Sequence, residues 1–189
     1  GRPGPAQPLQ GIRAAGNVAA LELRQAQVLL AIIINHPQII FEEFEAIGTL
    51  ELPGGDLDTV RQEILNLASQ NPDLDSTMLK SQLREAGLAD ALAGFLEPSL
   101  YKLWPFSGPA ASFEEAKAGW RHMAGLYQRR RLEGEVGAAL TDLGHNMTEA
   151  SWARLDELQK QIREADSVDL DDDETFLGGA SAGGPATSR

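Results

Sequence analysis

The chain has 189 residues, 42% of them hydrophobic, and a formal charge of −12, which suits one compact core of ordinary domain size plus flexible ends. It has no cysteine, so disulfide frameworks and thiolate zinc sites of the Cys-x-x-Cys type are excluded. The negative balance argues against a broad phosphate-binding surface, which needs clustered cations, and the longest apolar run, Val28 to Ile34, falls far short of the ~20 residues of a membrane span.

Aromatic residues make up only 6% and no long stretch alternates apolar with polar, so helix is the expected state. Residues 1–20 contain Pro3, Pro5 and Pro8 with several Gly and Ala, a composition that predicts a disordered linker. They carry no initiator Met, basic stretch or apolar stretch of a signal peptide, and the chain therefore reads as a fragment. Leu21 to Asn35 is apolar almost all round from Val28 onward, the pattern of a helix inside a bundle, and Pro37 ends it. A short helix is expected through Ile40 and Phe44. Pro53-Gly54-Gly55 reads as a turn, with Asp56 placed to cap a helix whose Leu57, Val60, Ile64, Leu67 and Ala68 form one stripe, closed by Asn71-Pro72. From about Ser76 another helix presents Leu79, Leu83 and Ala86 before Gly87; a shorter one runs from Leu88 towards Phe95, and Pro98, Pro105 and Pro109 break the chain.

Ser112 to Leu143 is free of proline, and Ser112 with Glu115 three residues on predicts a capping box at the head of one long helix. At ~100° per residue, Phe113, Ala116, Trp120, Met123, Ala124 and Tyr127 fall within about 60° of one direction, while Leu132, Val136, Ala139, Leu140 and Leu143 cluster about 140° round from it. The helix thus changes partners midway. Its first half should complete a bundle over residues 21–128, and its second half needs another apolar surface. Gly144-His145-Asn146 ends it, Thr148 is placed to cap the next helix, and Met147 with Trp152 has the spacing of a hydrophobic staple. Trp152, Leu155, Leu158, Ile162 and Ala165 make the stripe of that helix. The expected fold is all-α: a helical bundle joined through a long helix to a C-terminal antiparallel helical hairpin over residues 129–166, with residues 167–189, rich in Asp, Gly, Ala and Ser, as a disordered acidic tail.

No catalytic constellation is visible. Gly54-Gly55 lacks the Lys-Ser/Thr of a phosphate loop. Asp169, Asp171 and Asp173 have the chemistry for Mg²⁺, but hard-cation sites need ligands fixed in space, and the segment reads as a solvated tail. His36, His122 and His145 have no spacing that puts two on one helix face. Arg129-Arg130-Arg131, flanked by Glu133 and Glu135, reads as a solvated face with i,i+4 pairs rather than a nucleic-acid contact. A two-helix element is marginal alone, so some apolar surface should remain for a partner, with Leu140, Leu143, Met147, Trp152, Leu155, Leu158, Gln159 and Ile162 as the candidate partner-binding residues.

Three motifs resemble the C-terminal helicase-interaction region of bacterial DNA primases, across about Ala20 to Ala165: Arg24 to Pro37 as the opening buried helix, Phe113-Glu114-Glu115-Ala116 followed by Trp120 at the entry to the long helix, and Trp152-x-x-Leu155-x-x-Leu158 in the last helix. The resemblance implies a cytoplasmic bacterial module without catalysis or cofactor. Its hairpin would bind the N-terminal domains of the hexameric replicative helicase and bring RNA primer synthesis to the replication fork. Zinc and magnesium would belong to the parent enzyme's other domains, and no membrane or direct nucleic-acid contact is expected. The segment from Pro105 to Pro109 and the acidic extension after Asp166 depart from the pattern. The fold is also similar to the helicase's own N-terminal domain, so a self-assembling domain of that type, or a generic helical adaptor, is the alternative.

Overall fold

The computed structural model of the chain describes residues 9–178, with side chains over residues 18–163. The outer parts of both expected disordered ends, residues 1–8 and 179–189, lie outside the described residues. The fold is all-α, with no strand among the described residues. Two compact units divide between Ala124 and Gly125.

The first unit is built around α1 (Leu9–Asn35). The helix begins inside the stretch expected to be a linker, a correction with a local cause. Every proline of that stretch lies before Leu9, and the residues after it, including Ala14, Ala15, Ala19 and Ala20, are good helix formers. Val28 to Ile34 are at most 1% exposed. Helix α1 packs on α4 (Gly55–Gln70), α5 (Ser76–Glu85), α6 (Ala89–Phe95) and a 3-10 turn at Pro105–Ser107, which is how a helix apolar on every side is covered. By length and composition the segment Val18–Asn35 could cross a membrane; here its apolar half is wrapped by these neighbours.

After Pro37 the expected single short helix is two, α2 (Gln38–Glu42) and α3 (Phe44–Thr49), separated by a break at Glu43. Helix α4 starts earlier than an Asp56 cap would place it. Gly54 is the cap residue, at φ +79 and without a side-chain bond, and Asp56 and Asp58 occupy the first turn. A left-handed φ favours glycine, and carboxylates in the first turn suit the positive end of the helix dipole. Leu57, Val60, Ile64 and Ala68 are buried as the stripe requires, with Leu67 partly so. Asp75 caps α5 by accepting from the Met78 N–H at 2.8 Å. Ala86 lies exposed beyond α5's last turn instead of in its stripe. That turn closes as a Schellman motif: Gly87, at φ +84, donates to the Arg84 carbonyl at 3.0 Å and Leu88 to the Leu83 carbonyl at 3.0 Å.

Pro98 does not simply break the chain. It occupies the first turn of α7 (Pro98–Leu103), where a missing N–H costs nothing. The loop after α7 then ties the unit together. Asn35 donates to the Ser107 carbonyl at 2.8 Å and to the Tyr101 hydroxyl at 3.3 Å, and accepts from Lys80 Nζ at 2.7 Å. His36 Nε2 meets the Gly108 carbonyl at 3.0 Å. Burial, and then the charge of Arg84, hold the Lys80 ammonium below its ordinary pKa. The Phe106 ring occupies the space a side chain on Gly119 would need, so the Pro105 to Pro109 segment seats an aromatic knob against the long helix α8 (Phe113–His145).

Helix α8 opens with the expected capping box: the Glu115 carboxylate accepts from the Ser112 N–H at 2.8 Å and its Oγ at 2.7 Å, while the Glu115 N–H donates to Ser112 Oγ at 3.3 Å. Both bonds from Ser112 hold the Glu115 carboxyl below its ordinary pKa. Ala116, Trp120 and Met123 are buried, and Lys117 and Arg121 pair with Glu42 and Glu43. Helix α9 (Glu149–Gly178) continues past the residue-166 limit expected for it, because no Pro or Gly occurs between Arg163 and Gly178 to stop it.

Candidate partner-binding surface

The second unit is a helical hairpin made by the later part of α8 and by α9, joined through residues 146–148. The link is held by local bonds. The Asn146 N–H donates to the Asp142 carbonyl at 2.7 Å, Thr148 Oγ1 accepts from the Ser151 N–H at 3.1 Å, and Ser151 Oγ donates to the Asn146 carbonyl at 3.0 Å. Thr148 is therefore the N-cap of α9, in the position its sequence context suggests.

One small core joins the two helices: Ala139 and Leu143 from α8 with Leu155 and Leu158 from α9, and Leu132 and Val136 packed against it. This divides the eight candidate residues. Leu143, Leu155 and Leu158 are buried in the hairpin's own core and Ile162 is partly covered, whereas Leu140 is 50% exposed, Trp152 56% and Met147 81%, with Gln159 also exposed. The Met147–Trp152 spacing of a staple thus leaves both side chains largely in water.

Helical geometry puts Leu140 and Trp152 on one side. Leu140 lies about 70° round from the centre of α8's buried face and Trp152 about 90° round from that of α9. Because the helices run in opposite directions, both rotations lead to the same side of the hairpin. Leu140 is about 7.5 Å before the end of α8 and Trp152 about 4.5 Å after the start of α9, at ~1.5 Å per residue, so they stand near each other close to the tip. Gly137 and Gly144 flank Leu140, both exposed and both with open space where a side chain would begin. The opposite side, by the same arithmetic, carries Arg131, Glu135, Asp142, Arg154 and Gln161. The side with Leu140 and Trp152 also carries Glu133, Gln159 and Arg163, whereas the opposite, charged side has no large apolar residue among the described residues.

Arg129 and Arg131 meet Glu133 and Glu135 one turn on, at 3.8 and 3.1 Å, as i,i+4 pairs do. Arg130 has one buried guanidinium nitrogen without a hydrogen-bond partner. Among the described residues no three His, Asp or Glu side chains group as metal ligands. His36 and His145 are both bonded to backbone carbonyls, and His122 is exposed. The two flanking glycines were not among the sequence candidates. Their seven-residue spacing astride Leu140 was the available signal, and it is silent until the hairpin core shows which side stays open. No family model, no curated protein and no solved structure matches the chain.

Proposed function

We propose that this chain is a non-catalytic docking module, the helicase-binding region of a bacterial DNA primase, acting in the cytoplasm to bring RNA primer synthesis to the replication fork. One observation carries the reading: the hairpin closes its own core and still leaves Leu140, Met147 and Trp152 exposed. Leu140 and Trp152, which helical geometry puts on one side of a small element, mark an interaction surface. The resemblance of Arg24 to Pro37, Phe113 to Trp120 and Trp152 to Leu158 to the primase family supports the choice of the helicase N-terminal domains as the partner. The primer-making chemistry, with its zinc and magnesium, belongs to other domains of the parent enzyme.

Binding of the full chain to an immobilised replicative-helicase N-terminal domain tests this. Leu140→Asp and Trp152→Ala should each weaken binding at least about tenfold, the loss expected for anchor residues, while Arg154→Ala on the charged side should change it less than about twofold. Circular dichroism should show unchanged helix content for all three. Undiminished binding by Leu140→Asp and Trp152→Ala would remove the basis of the reading.

A further inference from the structure

The side of the hairpin with Leu140 and Trp152 has a property that reaches beyond docking to a different protein: it carries both a knob and a matching hole. Trp152 projects from α9, while Leu140 on α8 lies between two glycines whose Cβ positions are open. A surface that pairs with itself across a two-fold axis must contain both halves of each contact. We infer that this side of the hairpin pairs with the same side of a second copy of the chain, forming a four-helix arrangement with the two-fold axis parallel to the helices.

That axis lays α8 of one copy over α9 of the other in opposite directions, so every neighbouring pair in the arrangement is antiparallel, as in up-down bundles. Leu140 and Trp152 stand at similar distances from their helix ends at the link, so each indole comes to rest on the other copy's Leu140, between Gly137 and Gly144. The glycines let the helix axes approach closely enough for that contact. Charge agrees with the same register. Glu133, whose side chain is 60% exposed, lies on this side about 18 Å from the end of α8, and the exposed Arg163 lies on it about 21 Å from the start of α9. The axis sets Glu133 of one copy against Arg163 of the other. An exposed Leu and Trp per copy with a glycine strip cover less than the ~800 Å² per partner of a stable complex, which makes the pairing weak, with Kd on the order of 10–100 µM. Self-pairing covers the same residues as the proposed docking contact, and the two would exclude each other.

Analytical ultracentrifugation of the full chain from about 5 to about 500 µM reads this directly, without any helicase. The wild type should pass from monomer to dimer across that range. Gly137→Leu fills the hole at an exposed position where a better helix former leaves the fold intact, and it should remain monomeric throughout. Glu133→Arg should weaken the dimer at least about fivefold, and adding Arg163→Glu should restore it. A wild type that stays monomeric at the highest concentration overturns the inference and leaves the surface to another molecule. So does a dimer indifferent to Gly137→Leu, or a charge swap that restores nothing.

Discussion

In the first unit Val28 to Leu30, Ile32, Ile34, Ile39, Ile47 and Ile64 have no exposed area, whereas in the hairpin every core residue, Ala139, Leu143, Leu155 and Leu158, keeps 5 to 7%. The contrast follows from the number of neighbours an element has. Over Val28 to Ile34 helix α1 is wrapped by its neighbours α4, α5, α6 and the 3-10 turn, so there it buries apolar residues on all sides, while Val18, Leu21 and Leu23 nearer its start stay exposed. Two helices alone offer each other one face apiece, and whatever apolar residue falls beyond that face stays in water. Depth of packing holds the bundle to a single arrangement, and incomplete packing is what makes the hairpin available to something else.

The largest effect should separate the two cores. Ile64→Ala, at a fully enclosed site, should cost about 3–4 kcal/mol, and Leu155→Ala, beside solvent that can relax into the gap, about 2 kcal/mol. Urea denaturation measures the loss and amide exchange locates it: protection should fall across α1 and α4 in the first variant and across α9 in the second. Equal losses would erase the distinction between a sealed and an open core.

Glycine provides a sharper comparison, because the two units predict opposite signs for one substitution. Gly119→Ala must displace the Phe106 ring and should destabilise by about 1–3 kcal/mol, as overpacking does. Gly134→Ala, in the same helix but with open space around it, should stabilise by about 0.5–1 kcal/mol through helix propensity. Thermal melts of both variants decide this, and a gain for Gly119→Ala would mean that Phe106 is not fixed against α8.

A loss of similarly modest size is expected at the start of α8. Ser112→Ala should cost about 1 kcal/mol at neutral pH. The Glu115 carboxyl has its pKa lowered in the folded state by bonds from Ser112, so its contribution is present above the ordinary carboxylate range and is lost as pH falls through the lower folded value. The gap in melting temperature between wild type and Ser112→Ala should therefore narrow below about pH 4. A gap that stays constant down to pH 2 would mean the carboxylate takes no part in the cap.

Local signals in the sequence were easy to read where a feature depends on residues within one turn of each other. Ser112 with Glu115, Thr148 ahead of α9 and the stripe Leu57, Val60, Ile64 and Ala68 are of this kind. Asp56 misled because Gly54, at φ +79, already turns the chain into α4 and leaves Asp56 in its first turn. Pro98 misled because proline both breaks helices and begins them. The start of α1 at Leu9 was hidden by averaging composition over a stretch whose prolines all lie at its front. Within the candidate surface, periodicity grouped Leu140 with Leu143 and Trp152 with Leu155, because residues three apart on a helix differ by only ~60°. That angle is enough to put one inside the hairpin core and the other outside it.

The all-helical class and the long helices were set by the sequence alone, since helix formation and capping are decided by neighbours in the chain. Contacts between residues far apart in the chain were left to the tertiary structure: Asn35 holding Tyr101, Ser107 and Lys80, Phe106 against Gly119, and the sorting of Leu140 and Trp152 from Leu143, Leu155 and Leu158. Such contacts depend on how helices rotate about their own axes when they pack, and a rotation of less than a quarter turn, invisible to any pattern of residue types, decides whether a leucine seals a core or waits for a partner.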